Sequence, residues 1–234
     1  MVPKCQDAAR MQLAERLSHI NLFGGMPSTQ IEELLLRIGY EVRHFDKGEI
    51  IFHETTPFNW VMPILSGLVN MYEPGANGNR HLIRTVSAGF SFGVTLVTGR
   101  LEYFPGMAVA ASPCELVFLE VAKIRDIWFD MRFRRLFENL YSIASEYVHY
   151  CWRKLSIMSC KTTEDKFFLY LSWQASEVGS NDVSLPFVRM EDCATFLGVT
   201  RTSLSLAIKR LVKRGEIVYL EHGHFILKRL GHSL

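Results

Sequence analysis

From Val121 to Met158 the chain carries neither glycine nor proline, and no other segment limits the fold as strongly. An uninterrupted run of that length reads most economically as one long helix. Its apolar residues recur in two neighbouring stripes. Leu136, Leu140, Ile143, Tyr147, Tyr150 and Ile157 follow 4-3 spacing with Lys154 as the exception, and Phe137, Tyr141, Ala144, Val148, Cys151, Leu155 and Met158 follow it one residue on. A helix docked on one core needs a stripe only about 100° wide. The doubled stripe therefore predicts a second partner, the same helix of another copy, and Leu136, Leu140, Ile143, Tyr147 and Tyr150 are assigned to that interface. The alternative is a helix wholly buried in one larger core.

The segments on either side differ in texture. Residues 1–38 have helical spacing, with Leu13, Leu17 and Ile20 on one face and Ile31, Leu34, Leu35 and Ile38 after a break at Gly24-Gly25-Met26-Pro27. Between Tyr40 and Leu119 short β-rich runs alternate with turns, as in Val42-Arg43-His44-Phe45 and Leu82-Ile83-Arg84-Thr85-Val86. Regularly spaced strands of this kind predict a small antiparallel barrel or sandwich. After the long helix, Thr162 to Asp165 is a capping sequence for a helix over about 163–178, ended by Gly179. At 234 residues the chain has the length of two modest domains.

Residues Met190 to Arg214 form a helix-turn-helix pattern. Ala194 is small where two helices cross, Gly198 suits the positive φ of a turn, and Val199, Leu204, Ile208 and Leu211 supply an inward face. Thr200 is the expected N-cap. Thr200, Arg201, Thr202, Ser203, Ser205, Lys209 and Lys213 are the candidate DNA-contacting residues, with Arg201, Thr202 and Ser205 near the end of the helix that reads base edges. The two β-rich runs 216–220 and 225–228 predict a hairpin wing. Residues 189–234 hold eight basic side chains against four acidic ones. The chain's formal charge of +2 thus conceals +4 here and −2 elsewhere, the local excess that phosphate contacts need. A solvated basic face on a helical hairpin is the plainer alternative.

This order of parts resembles the CRP/FNR superfamily of bacterial transcription regulators over nearly the whole chain. Phe45–Phe52, Ile64–Val69, Ala88–Gly93 and Cys114–Leu119 look like the glycine-punctuated landmarks of that family's β-roll, and Arg201–Ser205 looks like the opening of its recognition helix. The resemblance implies an α+β chain: an N-terminal antiparallel β-roll like a cyclic-nucleotide-binding domain (1–120), a long dimerisation helix (121–160) and a C-terminal winged helix-turn-helix (161–234). It implies a homodimeric regulator reading an inverted repeat in double-stranded DNA, with RNA polymerase as a further partner if it activates. By the same resemblance Arg201 contacts a guanine, whereas the family's frequent Glu beside it is Thr202 here and a later Arg is Leu206.

The family's cyclic-nucleotide cassette is not matched. The Glu that holds the ribose is Val94 and the Arg that pairs with the cyclic phosphate falls at Phe104, so an effector other than cyclic AMP is expected. Phe92, Val94, Leu96, Phe104 and Met107 are the expected lining of an apolar pocket, with Tyr141 as its polar handle. The alternative is that they fill the roll core and no ligand binds.

Other classes find little support. Five scattered cysteines include no CxxC pair, and Cys5 stands alone where an iron–sulfur relative has several. Cys114 reads as a buried structural thiol, with a redox pairing to Cys5 as the alternative. His44, His53, His81 and His149 sit in no haem motif, which leaves a haem- or redox-responsive regulator as a variant reading. A metal-dependent small-barrel enzyme is the remaining alternative. Its 40–120 segment has no HxH-plus-Glu cluster, and the one HxH, His222 to His224, lies in the expected wing. No cofactor and no enzymatic activity are expected. No apolar run approaches the ~18 residues of a membrane span, and Met1 to Asp7 has no apolar leader, so no membrane partner and a cytoplasmic location are expected.

Overall fold

A computed structural model describes residues 3–53, 59–74, 80–99, 106–187, 189–221 and 223–228. The chain divides into two compact units, Met1–Pro74 with Arg84–Tyr147, and Gly75–Ile83 with Val148–Leu234. The division falls inside the long helix.

In the first unit, helices α1 (Pro3–Leu17) and α2 (Ser28–Ile38) precede eight strands, β1 (Glu41–Phe45), β2 (Ile50–Phe52), β3 (Trp60–Ser66), β4 (Leu68–Pro74), β5 (Arg80–Ser87, whose first half falls in the second unit), β6 (Ser91–Phe92), β7 (Met107–Ala110) and β8 (Cys114–Glu120), with the short helix α3 (Val94–Thr98) between β6 and β7. They form two four-stranded sheets, in the orders β1-β8-β3-β6 and β2-β7-β4-β5. In the first sheet β8 lies antiparallel to β1, with Val42 opposite Val117, and to β3, with Val61 opposite Leu119. The second pairs β4 with β7, Met71 opposite Ala108. The antiparallel roll expected from the turn-punctuated sequence is thus formed. Val61, Met62 and Ile64 of one sheet and Val69, Ala108 and Ala110 of the other share one core with Leu17, Leu34 and Leu35 of the helices. Burying such side chains contributes roughly 1.5–3 kcal/mol each.

The β3–β4 turn is fixed by Gly67. Its φ is +90°, and a Cβ there would stand 2.2 Å from the Pro113 carbonyl oxygen and 2.9 Å from the Cys114 Cα. Cys114 itself is buried with its Sγ 3.1 Å from the Leu68 carbonyl, and burial pushes its thiol up, in keeping with a structural role.

The expected single helix from Val121 is two. Helix α4 covers Val121–Asp126, a 3-10 turn covers Met131–Phe133, and the long helix α5 begins only at Arg134 and runs to Ser159. The break needs no glycine or proline. The Asp130 carboxylate accepts the Arg132 backbone N–H at 3.1 Å, capping the new turn and replacing a helical bond. Arg132 and Arg37 hold that carboxyl well below the usual range.

The second unit adds α6 (Thr163–Val178), β9 (Asp182–Ser184), α7 (Met190–Phe196), α8 (Arg201–Lys213), β10 (Ile217–Tyr219) and β11 (His224–Leu227). The Thr162 hydroxyl caps α6 by accepting the Asp165 N–H at 3.1 Å. The three strands form one sheet in the order β10-β11-β9, the wing. Phe167, Tyr170, Cys193, Leu204, Leu211 and Phe225 are all buried in this unit. Lys154, the exception in the heptad pattern, belongs here. Its Nζ donates to the Phe196 carbonyl at the end of α7 and lies 3.1 Å from the Phe196 ring centroid, while Lys166 Nζ reaches the Leu197 carbonyl at 3.4 Å.

Burial, aided by the nearby Lys166 charge, brings Lys154 from 10.5 down to about 7. Between those values the unfolded chain binds the extra proton, so this group makes stability rise as pH rises from about 7 towards the ordinary lysine range. Lys154→Met, which keeps the straight chain and removes the charge, should flatten that dependence in urea midpoints measured from about pH 6.5 to 9. Gly67→Ala should cost about 3 kcal/mol or more in the same unfolding assay, because backbone rather than a flexible side chain blocks the new methyl.

Candidate nucleic-acid interface and effector cavity

Helix α8 is started by Thr200, whose Oγ1 accepts the Ser203 N–H at 3.1 Å and donates to the Ser203 Oγ at 2.9 Å. Ser203 is therefore half-buried and engaged in the cap rather than presented outward. Leu204, Ala207 and Leu211 are buried against the unit's core. The positive φ of Gly198, +63°, turns α7 into α8 as expected, with Met158 filling the space a Cβ would take. Arg201, Thr202, Ser205, Lys209 and Lys213 are all exposed on the opposite side. Six of the seven residues expected to contact DNA thus lie at the exposed start or along the exposed face of one helix.

The charges on this face are partly engaged. Arg201 is 62% exposed and sits 3.0 Å from Glu191, Arg210 pairs with Glu164 at 2.7 Å, and Arg214 pairs with Glu216 at 2.5 Å. Exposed pairs of this kind are each worth no more than about 1 kcal/mol. Lys209 and Lys213 enter no ion pair among the described residues. The unit's Cys193 is fully buried with its thiol pushed well up by burial, which leaves no reactive thiolate beneath the helices.

In the first unit, a cavity of about 40 Å³ is bordered by Met71 and Arg84 of the sheet, the Ser91–Thr95 segment, and Ile143, Ala144 and Tyr147 of α5. Two of the residues expected there, Phe92 and Val94, line it. Leu96 and Met107 are buried elsewhere in the roll, and Phe104 lies outside the described residues. Tyr141 is 74% exposed and does not border the cavity, where Tyr147, about one and two-thirds turns further along the helix, takes the place expected of it. Arg84 was not foreseen at this site. The signal for it is the two-residue period of β5: Leu82 and Val86 are buried, and Arg84 shares their inward face.

Of the two α5 stripes, the one expected at the interface is turned towards its own chain. Leu136, Leu140 and Ile143 are buried in the core of the roll unit, and the Tyr150 hydroxyl donates to the Ile83 carbonyl at 2.6 Å. Tyr147 is half-buried at the cavity. These five residues face their own chain and do not form an open interface. Of the neighbouring stripe, Val148 at 53% and Leu155 at 63% are exposed, as are Tyr141, Cys151 and Met158, whereas Phe137 packs against the core and Ala144 borders the cavity; Trp152, outside both stripes, is 69% exposed beside them. The doubling of the stripe was legible, but which half meets the roll depends on where α5 starts, and the break at Asp130 was not foreseen.

Residues 42–130 match the cyclic nucleotide-binding domain family. The nitrogen fixation regulation protein FixK of Bradyrhizobium diazoefficiens is 22% identical over 189 residues, 79% of this chain and 77% of that protein. The fold is shared with FixK2 of Bradyrhizobium japonicum (TM-score 0.66, 16% identity, 82% of this chain and 93% of that one). It is shared also with the c-di-GMP responsive global regulator CLP of Xanthomonas campestris (TM-score 0.67, 15% identity, 86% and 99%). The chain thus carries a cyclic nucleotide-binding-type roll over residues 42–130 and shares its fold with these regulators over more than four-fifths of its length.

Proposed function

We propose that the protein is a homodimeric, sequence-specific DNA-binding transcription regulator that reads an inverted-repeat operator and answers to a small effector other than cyclic AMP. The observation that carries this reading is α8. A Thr200-capped helix buries Leu204, Ala207 and Leu211 and leaves Arg201, Thr202, Ser205, Lys209 and Lys213 on one exposed face. Such a helix enters a major groove with its amino-terminal residues on base edges and its later lysines near phosphate. The division of labour is a sensor over 1–120, a helix over 121–160 and a reader over 161–234.

Dimerisation is assigned to the exposed stripe of α5. Val148, Trp152 and Leu155 with Tyr141 and Met158 offer apolar area at heptad spacing, which a second copy of the helix covers by knobs-into-holes packing. Two-fold symmetry then presents two recognition helices to half-sites about one DNA turn, ~34 Å, apart. Effector binding in the roll favours one state of the hinge between Ser159 and Thr163 over another, to the extent that it binds the two states with different affinity. Where the regulator activates, RNA polymerase is the further partner. An effector unlike cyclic AMP is supported by Val94, which lines the cavity and stands where the ribose-binding acid would be.

Arg201→Ala should weaken the preferred operator by about 1–3 kcal/mol and relax preference at one base pair per half-site, whereas Lys213→Ala should weaken all sequences alike. Gel-shift competition against single-base operator variants separates the two, and an unchanged preference in Arg201→Ala would remove α8 from the groove. In light scattering, the double substitution Trp152→Glu and Leu155→Glu should halve the mass of a folded protein. Ile143→Lys should instead unfold the roll, seen as a lowered thermal midpoint, because its side chain is buried within its own chain.

A further inference from the structure

Lys154 and Met158 stand about one turn apart on α5, and both meet the end of α7. The Lys154 amine donates to the Phe196 carbonyl and lies 3.1 Å from the centroid of the Phe196 ring, while the Met158 methyl fills the space beside Gly198 that a Cβ would take. From α6, Lys166 reaches the next carbonyl, that of Leu197, at 3.4 Å. Two amines thus occupy the carboxyl end of α7, where carbonyls lack helical partners. Through this group the turn of the helix-turn-helix is seated on α5.

The carboxylates of α6 and α7 are all engaged elsewhere. Glu164 pairs with Arg210, Glu177 with Arg153, Glu191 with Arg201 and Asp192 with Arg189, and Asp165 accepts the Thr162 hydroxyl. Among the described residues neither Lys154 nor Lys166 enters an ion pair. The remaining ionisable groups packed there are the Cys193 thiol and the Tyr170 phenol. Burial raises both, so both stay neutral and balance no positive charge.

A half-buried ammonium beside a second cation is penalised in a way that the neutral amine is not, and this outweighs the preference of the Phe196 ring for a cation. Loss of the proton does not break the bond to the Phe196 carbonyl, because two of the three N–H donors remain. Burial, with the Lys166 charge, accordingly brings Lys154 from 10.5 down to about 7.

We propose that this seat is a proton-responsive joint: uptake of one proton at Lys154 loosens the helix-turn-helix from α5, so that the reader is held more firmly, and DNA bound more tightly, as pH rises through and above neutrality. The proposal rests on the reading of α7 and α8 as the DNA-binding part. Linkage fixes the direction. An amine released into water returns to 10.5, so release takes up a proton between about 7 and 10.5, and docking strengthens as pH rises across that window. Below about 7 both forms carry the proton and the dependence ends. Within the window the limit is roughly tenfold in the docking equilibrium per pH unit.

Hydrogen exchange of the full chain reads the joint without DNA, at the Leu197, Gly198 and Val199 amides that close α7, normalised to the rate of an unstructured peptide. Between about pH 6.5 and 8.5 their protection should rise roughly tenfold in the unmodified protein and stay level in Lys154→Met. In Lys154→Arg, whose guanidinium keeps its charge, it should stay level at the low-pH value. An equal rise in Lys154→Met overturns the proposal. Carbon-13 NMR of lysine-labelled, unmodified protein supplies an arm that needs no variant: one lysine should titrate near 7, and none titrating below about 9 overturns the proposal as well. Gel shifts of a mixed-sequence duplex at low salt, over the same pH range, should show affinity rising at least about threefold more in the unmodified protein than in Lys154→Met. A parallel course in the two overturns the link to DNA while the joint stands. A folded protein that shifts no DNA at any pH counts against α8 as the reader, and the exchange result then decides the joint by itself.

Discussion

Leu136, Leu140 and Ile143 tie the start of α5 into the core of the roll, and the rest of the helix follows from that contact. Successive residues of a helix are about 100° apart. Once these three point inward, Ala144 and Tyr147 turn towards the cavity, while Tyr141, Val148, Trp152 and Leu155 turn away. One helix therefore supplies a core face, a cavity wall and an uncovered apolar stripe, with each role fixed by the phase in which α5 leaves Arg134. Asp130 sets that phase by capping the preceding turn.

Buried polar groups divide along the same lines of necessity. Lys154 lies beneath the end of α7, where helix carbonyls lack partners, and its amine answers one of them while Lys166 answers the next. Cys114 and Cys193 behave as small apolar side chains, buried and with raised thiol values. Ser91 differs in having no such local answer among the described residues.

The fold was legible where local signals and periodicity agree. Thr162 and Thr200 are caps, Gly198 is the turn, Gly67 marks a turn between the two sheets too tight for a side chain, and β3, β4, β7 and β8 are the short apolar runs between turns, buried over most of their length. The exposed face of α8 followed from the same arithmetic, except for Ser203, because a hydroxyl three residues after a capping threonine is equally suited to the cap. What was not legible depended on phase rather than pattern. Two apolar stripes one residue apart carry the same periodicity, and only the end of α4 decides which is buried. Arg84 occupies an inward position of an alternating strand, but a charged side chain there carries no apolar signal that would mark it as a cavity residue.

The ion pairs of the reader carry a further consequence. Arg201, Arg210 and Arg214 each rest against a carboxylate of the same unit, from Glu191, Glu164 and Glu216. In the proposed complex a base must displace the acid beside Arg201, and any phosphate that reached Arg210 or Arg214 would have to displace theirs, each acid already imitating the charge of DNA. The exchange trades one anion for another and releases fewer condensed ions than the number of basic residues implies. Random DNA then gains little from these arginines, while a site offering a well-placed guanine can still outbid the glutamate beside Arg201. In that proposed complex the acids set a threshold that filters encounters before any base is read.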